Sequence, residues 1–453
     1  MNKAIYITVI ALGGLSASGA LAAEADTPPK HDIGYRAEIA LDEGRAEQAL
    51  TLAQELLKRD GDSFQGHMIS ALAYVDQGQP QPAAKAAERA FQLARTDKER
   101  VQAARLSGAA RFQSGQHMRA GWWLRRASNY VGDENDARIV AEEFDAIRQD
   151  NPLSVTLNFA IAPSTNINGG TREEYFDIEN YRFVFHPSSL ALSGLEYSGS
   201  VDLSYRLSQS DRHITTIGAF LYGRTYSVSS AARDAFPDVD GSDYALALAE
   251  VSVAHRQYLF EGLGATGVSA HIGQLWYGGD PLRRHLRVQL DQDLPLGEDA
   301  LISLGGFVEV QEALTASQPN ATVYDLQGSY SKRLGNQDVL RWSLGYRFTD
   351  ADQATYTHSD LRAGVQYALS RPVLGTKLDV WAELGRKTYD EFTLSLNGRQ
   401  DTYVSLGANA VFEQLSYFGF SPRLSLSATQ TNSNVARYSS TDVQIGLGLQ
   451  SNF

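Results

Sequence analysis

From residue 151 onward apolar and polar side chains alternate with period two, the pattern of strands with two unlike faces. Leu195, Tyr197, Val201, Leu203, Tyr205 and Leu207 share one face, opposite Glu196, Ser198, Ser200, Asp202, Ser204 and Arg206. Leu340, Trp342, Leu344, Tyr346 and Phe348 oppose Arg341, Ser343, Gly345, Arg347 and Thr349. Fourteen such segments stand near 154–162, 194–207, 213–226, 243–256, 265–277, 282–293, 299–311, 322–333, 338–349, 356–369, 375–388, 401–413, 420–431 and 439–453. Many exceed the five or six residues of an ordinary soluble strand. They match the repeat of about ten residues of outer-membrane barrels. Connections at 208–212, 334–337, 370–374 and 414–419 are short, and those at 163–193, 227–242 and 389–400 are long. Short turns on one rim and long loops on the other are what such a barrel requires. An even strand count puts both barrel ends in the periplasm; sixteen strands, with 181–185 among them, are the alternative.

Residues 33–150 carry a helical pattern instead, rich in Ala, Leu, Gln, Glu and Arg. Gly44, Gly78 and Gly115 recur at spacings of 34 and 37, each followed five residues later by Ala49, Ala83 or Ala120. Seven residues before each glycine stand Ala37, Ala71 and Gly108; twelve after stand Leu56, Ala90 and Ala127. A period near 34 with small residues at fixed offsets predicts paired antiparallel helices of the tetratricopeptide type, about three pairs, with a capping helix near 133–149. Stacks of this kind present surfaces that bind protein segments. Trp122 and Trp123 are candidates for such a surface or for the core. The fold class is therefore α+β multidomain: an N-terminal α-helical tetratricopeptide-like solenoid (33–150), then a C-terminal antiparallel transmembrane β-barrel (151–453).

The N-terminus changes the picture drawn by mean hydropathy, which at −0.29 suggests a soluble chain. Lys3, a short apolar run from Ala4 to Leu15 and small residues around Ala20 and Ala22 read as a signal peptide over 1–22. The run is shorter than the roughly 20 residues a membrane helix needs. A strand with half its residues facing a polar lumen averages to polar, so hydropathy and barrel agree. The chain has no cysteine among 453 residues, which excludes a disulfide framework, thiol catalysis and cysteine-ligated metal. Its net charge of −13 excludes an ordinary nucleic-acid binder. The helical part (31–150) holds 16 basic and 19 acidic residues, the barrel part 22 and 32. Histidines are scattered, no nucleotide loop is present, and no catalytic set stands out, so neither an enzyme nor a cofactor is expected. The polar faces supply candidate lumen charges of both signs: Arg206, Arg341, Arg347, Arg362, Asp379 and Glu383.

The closing segment alternates Val443, Ile445, Leu447 and Leu449 with Gln444, Gly446, Gly448 and Gln450, and ends in Phe453. This resembles the assembly signal of bacterial outer-membrane barrels, carried by Gly446, Gly448 and Phe453. The junction NPLSVTLNFAIAPSTNINGGT (151–171), with Pro163, Asn166 and Asn168 after the first strand, and the end SPRLSLSATQTNSNVARYSSTDVQIGLGLQSNF (421–453) resemble the surface lipoprotein assembly modulator family, Slam. The resemblance implies periplasmic tetratricopeptide repeats, a fourteen-strand outer-membrane barrel and a translocator role. Its client would be a surface lipoprotein or a soluble haem- or iron-binding protein. Expected partners are that client, outer-membrane lipids and the barrel-assembly machinery. The rival reading is an exopolysaccharide export porin with tetratricopeptide repeats, which calls for a lumen of one charge sign.

Overall fold

The computed structural model describes residues 32–178, 181–186, 189–260, 262–393, 395–417 and 420–452. The expected signal peptide (1–22) and Phe453 lie outside them. Two compact units divide near Pro152.

The first unit contains α1 (Ile33–Asp42), α2 (Ala46–Arg59), α3 (Phe64–Asp76), α4 (Pro80–Leu93), α5 (Asp97–Gln113), α6 (His117–Ser128) and α7 (Glu134–Asp150). Three hairpins, α1–α2, α3–α4 and α5–α6, turn at Gly44, Gly78 and Gly115, with φ of 71°, 68° and 73°. At each, the glycine N–H donates to the carbonyl three residues back and the next N–H to the carbonyl five back, as in Arg45 to Ala40 at 2.7 Å. This left-handed helix stop favours glycine. The first helix of each hairpin starts on a side-chain cap: Asp32, Ser63 and Thr96 accept from Gly34, Gly66 and Glu99 N–H, and Asp133 caps α7. The small residues then set the packing distance. Ala37, Ala71, Ala83, Ala90 and Ala127 have no exposed surface, and a Cβ on Gly108 would come within 3.1 Å of Leu124. Trp123 is core, packed edge-on against Phe91 with ring centres 5.3 Å apart, whereas Trp122 is exposed.

Buried charge also ties this unit together. Arg105 on α5 grips Glu143 on α7, with Nη2–Oε1 at 2.6 Å and Nε–Oε2 at 3.0 Å, both side chains nearly inaccessible. Burial holds the Arg125 guanidinium down to about 10, with Arg148 adding to the effect, and it lies 4.8 Å over Phe144 on α7. Burial likewise raises the Glu38 carboxyl, against a hydrogen bond from Gln65 at 2.7 Å that lowers it.

The second unit is a closed antiparallel barrel of fourteen strands. In chain order the strands are β1 (Leu153–Ser164), β2 (Tyr175–Ile178), β3 (Tyr181–Val184), β4 (Gly194–Gln209), β5 (His213–Val228), β6 (Leu246–Gln257), β7 (Thr266–Tyr277), β8 (Asp280–Leu296), β9 (Ala300–Ala313), β10 (Ala321–Arg333), β11 (Val339–Ala351), β12 (His358–Ala368), β13 (Lys377–Tyr389), β14 (Arg399–Val411), β15 (Phe420–Ser433) and β16 (Ser440–Asn452). Sequential neighbours pair from β4 to β16, and β1 closes the ring between β16 and β4. The segment at 181–185 does become a strand, β3. It pairs only with β2 in a separate hairpin within the 165–193 loop, so the barrel stays at fourteen. Leu326, Leu384 and Leu447 stand on the outward face, as a wall against hydrocarbon requires. No helix among the described residues is long and apolar enough to cross a membrane.

Candidate functional site

Charges of both signs line the inward face of the barrel, and strand register decides which of them meet. Asp325 on β10 stands opposite Arg347 on β11, and Arg362 on β12 stands opposite Gly345 on β11. Because Gly345 has no side chain, Arg362 can lie across β11; a Cβ at 345 would come within 2.7 Å of its Nε. Arg347 Nε and Arg362 Nη2 therefore both donate to Asp325 Oδ2, at 2.9 and 2.8 Å. The Asp325 side chain is 1% exposed. A carboxylate so enclosed is costly without partners, and two cations supply them.

The same device operates on β6–β8. Glu250, Gly273 and His285 fall in one row across three strands. The bare Gly273 leaves the gap through which His285 Nε2 comes to 2.8 Å from Glu250 Oε2, while His271 Nδ1 lies 2.8 Å from Oε1. Arg287 Nε donates to Glu309 Oε2 at 2.8 Å. Arg287 and Arg347 lie 5.0 and 5.6 Å from the Phe307 ring centre, so one aromatic links the two clusters through its face.

Of the expected lumen charges, Arg347 and Arg362 thus converge on Asp325. Arg341, Arg362 and Glu383 line one lumenal cavity, and Arg341 Nε donates to Ser331 Oγ at 2.8 Å. Asp379 accepts from Asn409 Nδ2 at 3.0 Å, and Asn409 in turn accepts from Arg423 at 2.7 Å. Arg206 sits at the β4–β5 register shift. The sequence reading missed Asp325, Glu250, His271, His285 and Glu309. Asp325 and Glu309 occupy inward positions of expected strands, so parity alone could have found them. The Glu250–His285 pairing needs the row across three strands.

Loops shape the rim where β1 ends. Asn166 exchanges two hydrogen bonds with Gly170, at 2.9 and 2.7 Å. Asn168 donates to Leu190 O at 2.8 Å and accepts from Leu192 N–H at 2.9 Å. A Cβ on Gly170 would collide with the Leu190 carbonyl. These bonds close the long 165–193 loop on itself. Its Ile167 and Leu192 pack with Val228 of β5 and Ala232 of the short helix α8 (Ser230–Ala235). Pro163 stands next to last in β1, while Gly446 and Gly448 point inward from β16.

A closed fourteen-strand barrel, apolar outside and polar inside, after tetratricopeptide-like helices, defines an outer-membrane barrel protein with an appended repeat domain. The family model of the surface lipoprotein assembly modifiers matches residues 154–453, and the chain belongs to that family. Membership assigns it a role in surface lipoprotein assembly at the outer membrane. Among solved structures, Pseudomonas aeruginosa OprD is similar at 12% identity over 66% of this chain and 95% of that one, with a TM-score of 0.32. Acinetobacter baumannii OccAB4 is similar at 10% identity over 67% and 98%, with a TM-score of 0.34. The helical part is similar to the Yersinia enterocolitica translocator chaperone SycD, at 15% identity over 29% and 92%, with a TM-score of 0.25. No curated protein matches the chain.

Proposed function

We propose that this chain is an outer-membrane translocator that delivers a client, a surface lipoprotein or a soluble haem- or iron-binding protein, from periplasm to cell surface. The helical domain stands in the periplasm and collects an extended client segment on its stacked hairpins. Outer-membrane lipids surround the barrel, and the barrel-assembly machinery reads Gly446 and Gly448 of β16 together with Phe453. Pro163, Asn166 and Asn168 shape the loop beside the client's path. The observation that carries the reading is the family match over the whole barrel, joined to a repeat-type helical unit on the same chain. Ion pairs of both signs in the lumen, Asp325 with two arginines and Glu309 with Arg287, suit a polypeptide better than a polymer needing one charge sign. The sequence carries no nucleotide loop, and the driving force comes from client folding outside the cell or from partners. The test is protease shaving of cells with and without this chain, scoring co-encoded secreted proteins. Loss of surface exposure for one of them is expected; unchanged exposure for all would remove the translocator reading.

A further inference from the structure

The barrel wall is uneven, and its least continuous backbone ladder is where the ring closes. On the β4 side β1 is paired without a break from Leu153 to Ser164. On the β16 side the ladder stops at Ile161 opposite Leu447 and resumes only at Ser164 opposite Gln444. Two other strand pairs contain a bulge, at Arg206/Ser208 and at Leu275/Trp276. Among the described residues only the closing pair skips two successive positions on both strands.

Pro163 supplies a physical cause, since it has no N–H to give a ladder. Side chains replace backbone bonds around the gap. Ser164 Oγ donates to Asp442 at 3.1 Å, and Val443 N–H donates to Thr165 Oγ1 at 3.1 Å. Toward the other end Leu157 N–H donates to Ser451 Oγ at 3.2 Å. The lumenal face of the seam mixes small groups with Tyr222, Arg423 and Gln450. Asn158, Ala160, Ser425 and Gly448 line a cavity there, and Asn158 gives its amide to Ser200 on β4, away from β16. Elsewhere Arg362 and His285 each reach across a neighbouring strand to a carboxylate within the wall, whereas at the seam the long reach comes from the loop after β1, where Arg172 Nη2 donates to Asn432 on β15 at 2.6 Å. The outer face of the seam is apolar, with Phe159, Ile161, Leu447 and Leu449 standing outward.

We infer that the β1–β16 seam is a lateral gate that fits the acylated N-terminal segment of a client lipoprotein. The inference rests on the function proposed above. A lipoprotein has an extended polar segment ending in acyl chains, and the two ends need different solvents. A lumen lined by ion pairs cannot hold acyl chains favourably, whereas the bilayer can. Parting β1 from β16 joins the two environments where the ladder is already interrupted. The extended segment can pair with the exposed strand edges while its acyl chains pass outward between Phe159, Ile161, Leu447 and Leu449.

The chain has no cysteine of its own, so an introduced pair reports only itself. Ile161→Cys with Leu447→Cys places two thiols on directly opposed residues beside the gap. Val288→Cys with Val308→Cys does the same on β8 and β9, as a control away from the seam. The probe is an epitope-tagged, co-encoded lipoprotein, scored on the cell surface before and after reduction. Loss of display in the oxidised seam variant, recovery on reduction and normal display with the control lock are expected. Heat-modifiable migration of both variants shows that each barrel has assembled. Normal display from the oxidised seam variant would overturn the gate. So would an equal block of a client whose acylated cysteine has been replaced, because the seam would then not be serving the acyl chains. If deleting the whole chain leaves display unchanged, it is the translocator reading that fails, a different result from either of these.

Discussion

In the helical unit Ala37, Ala71 and Ala90 have no exposed surface, while in the barrel Leu326, Leu384 and Leu447 are each more than half exposed. The helices bury small apolar residues against one another and turn charge to water. The barrel turns its large apolar residues outward and keeps charge inside. Both arrangements follow from placing apolar surface away from water; what differs is whether protein or lipid receives it. Each unit also encloses a carboxylate, Glu143 held by Arg105 and Asp325 held by Arg347 and Arg362. In the helices the ion pair is dry on both sides. In the barrel Arg347 remains 40% exposed to the lumen.

The sharpest test of that contrast is Arg105→Ala. It strands Glu143 in a dry interior and should cost about 3–5 kcal/mol, read from the helical signal of the full chain melting in detergent. Replacing both partners with Met and Leu should recover most of it. Next is the lipid face: Leu326→Arg should destabilise the barrel by about 2–4 kcal/mol if it lies near the bilayer midplane, measured by urea unfolding in lipid vesicles. Met118→Arg, at an exposed apolar residue of α6, should stay within about 0.5 kcal/mol. Equal costs for the two would break the comparison. Smaller again is Asp325→Ala. The lumen can hydrate the released arginines, so about 1 kcal/mol is expected, and a loss matching Arg105→Ala would show a lumen as dry as the helical core. The smallest effect is a pH slope. Burial raises the Glu38 carboxyl in the folded state, so the folded chain holds its proton more tightly than the unfolded one. That contribution is complete below about 4.5 and is lost as pH rises through the raised value. Glu38→Gln should flatten this part of the stability profile in melts taken from pH 4 to 7.

Much of this was legible because periodicity is local. Alternation such as Leu340–Arg341–Trp342 marks a strand and its faces without knowledge of any neighbour. The recurrence of Gly44, Gly78 and Gly115 marks hairpin turns in the same way. The pairing of Asp325 with Arg362 was not legible, since it spans 37 residues and depends on register and on the bare Gly345 between them. The 181–185 segment shows the complementary limit. Its β-rich composition gave the strand, but nothing local said that its partner is Tyr175–Ile178 rather than the barrel wall. The roles of Asn166 and Asn168 belong to the same kind, because their bonds to Gly170, Leu190 and Leu192 exist only once the loop has folded back.

The three left-handed glycine turns have a consequence for how such a chain can change length. The first helix of each hairpin begins on a side-chain cap and ends in the same left-handed glycine stop, so each hairpin carries its own start and its own turn. A hairpin can therefore be duplicated or removed as a cassette, provided that α7 still covers the last exposed face. The length of the helical unit is then adjustable in steps of 34 to 37 residues, with no rung of the barrel having to change.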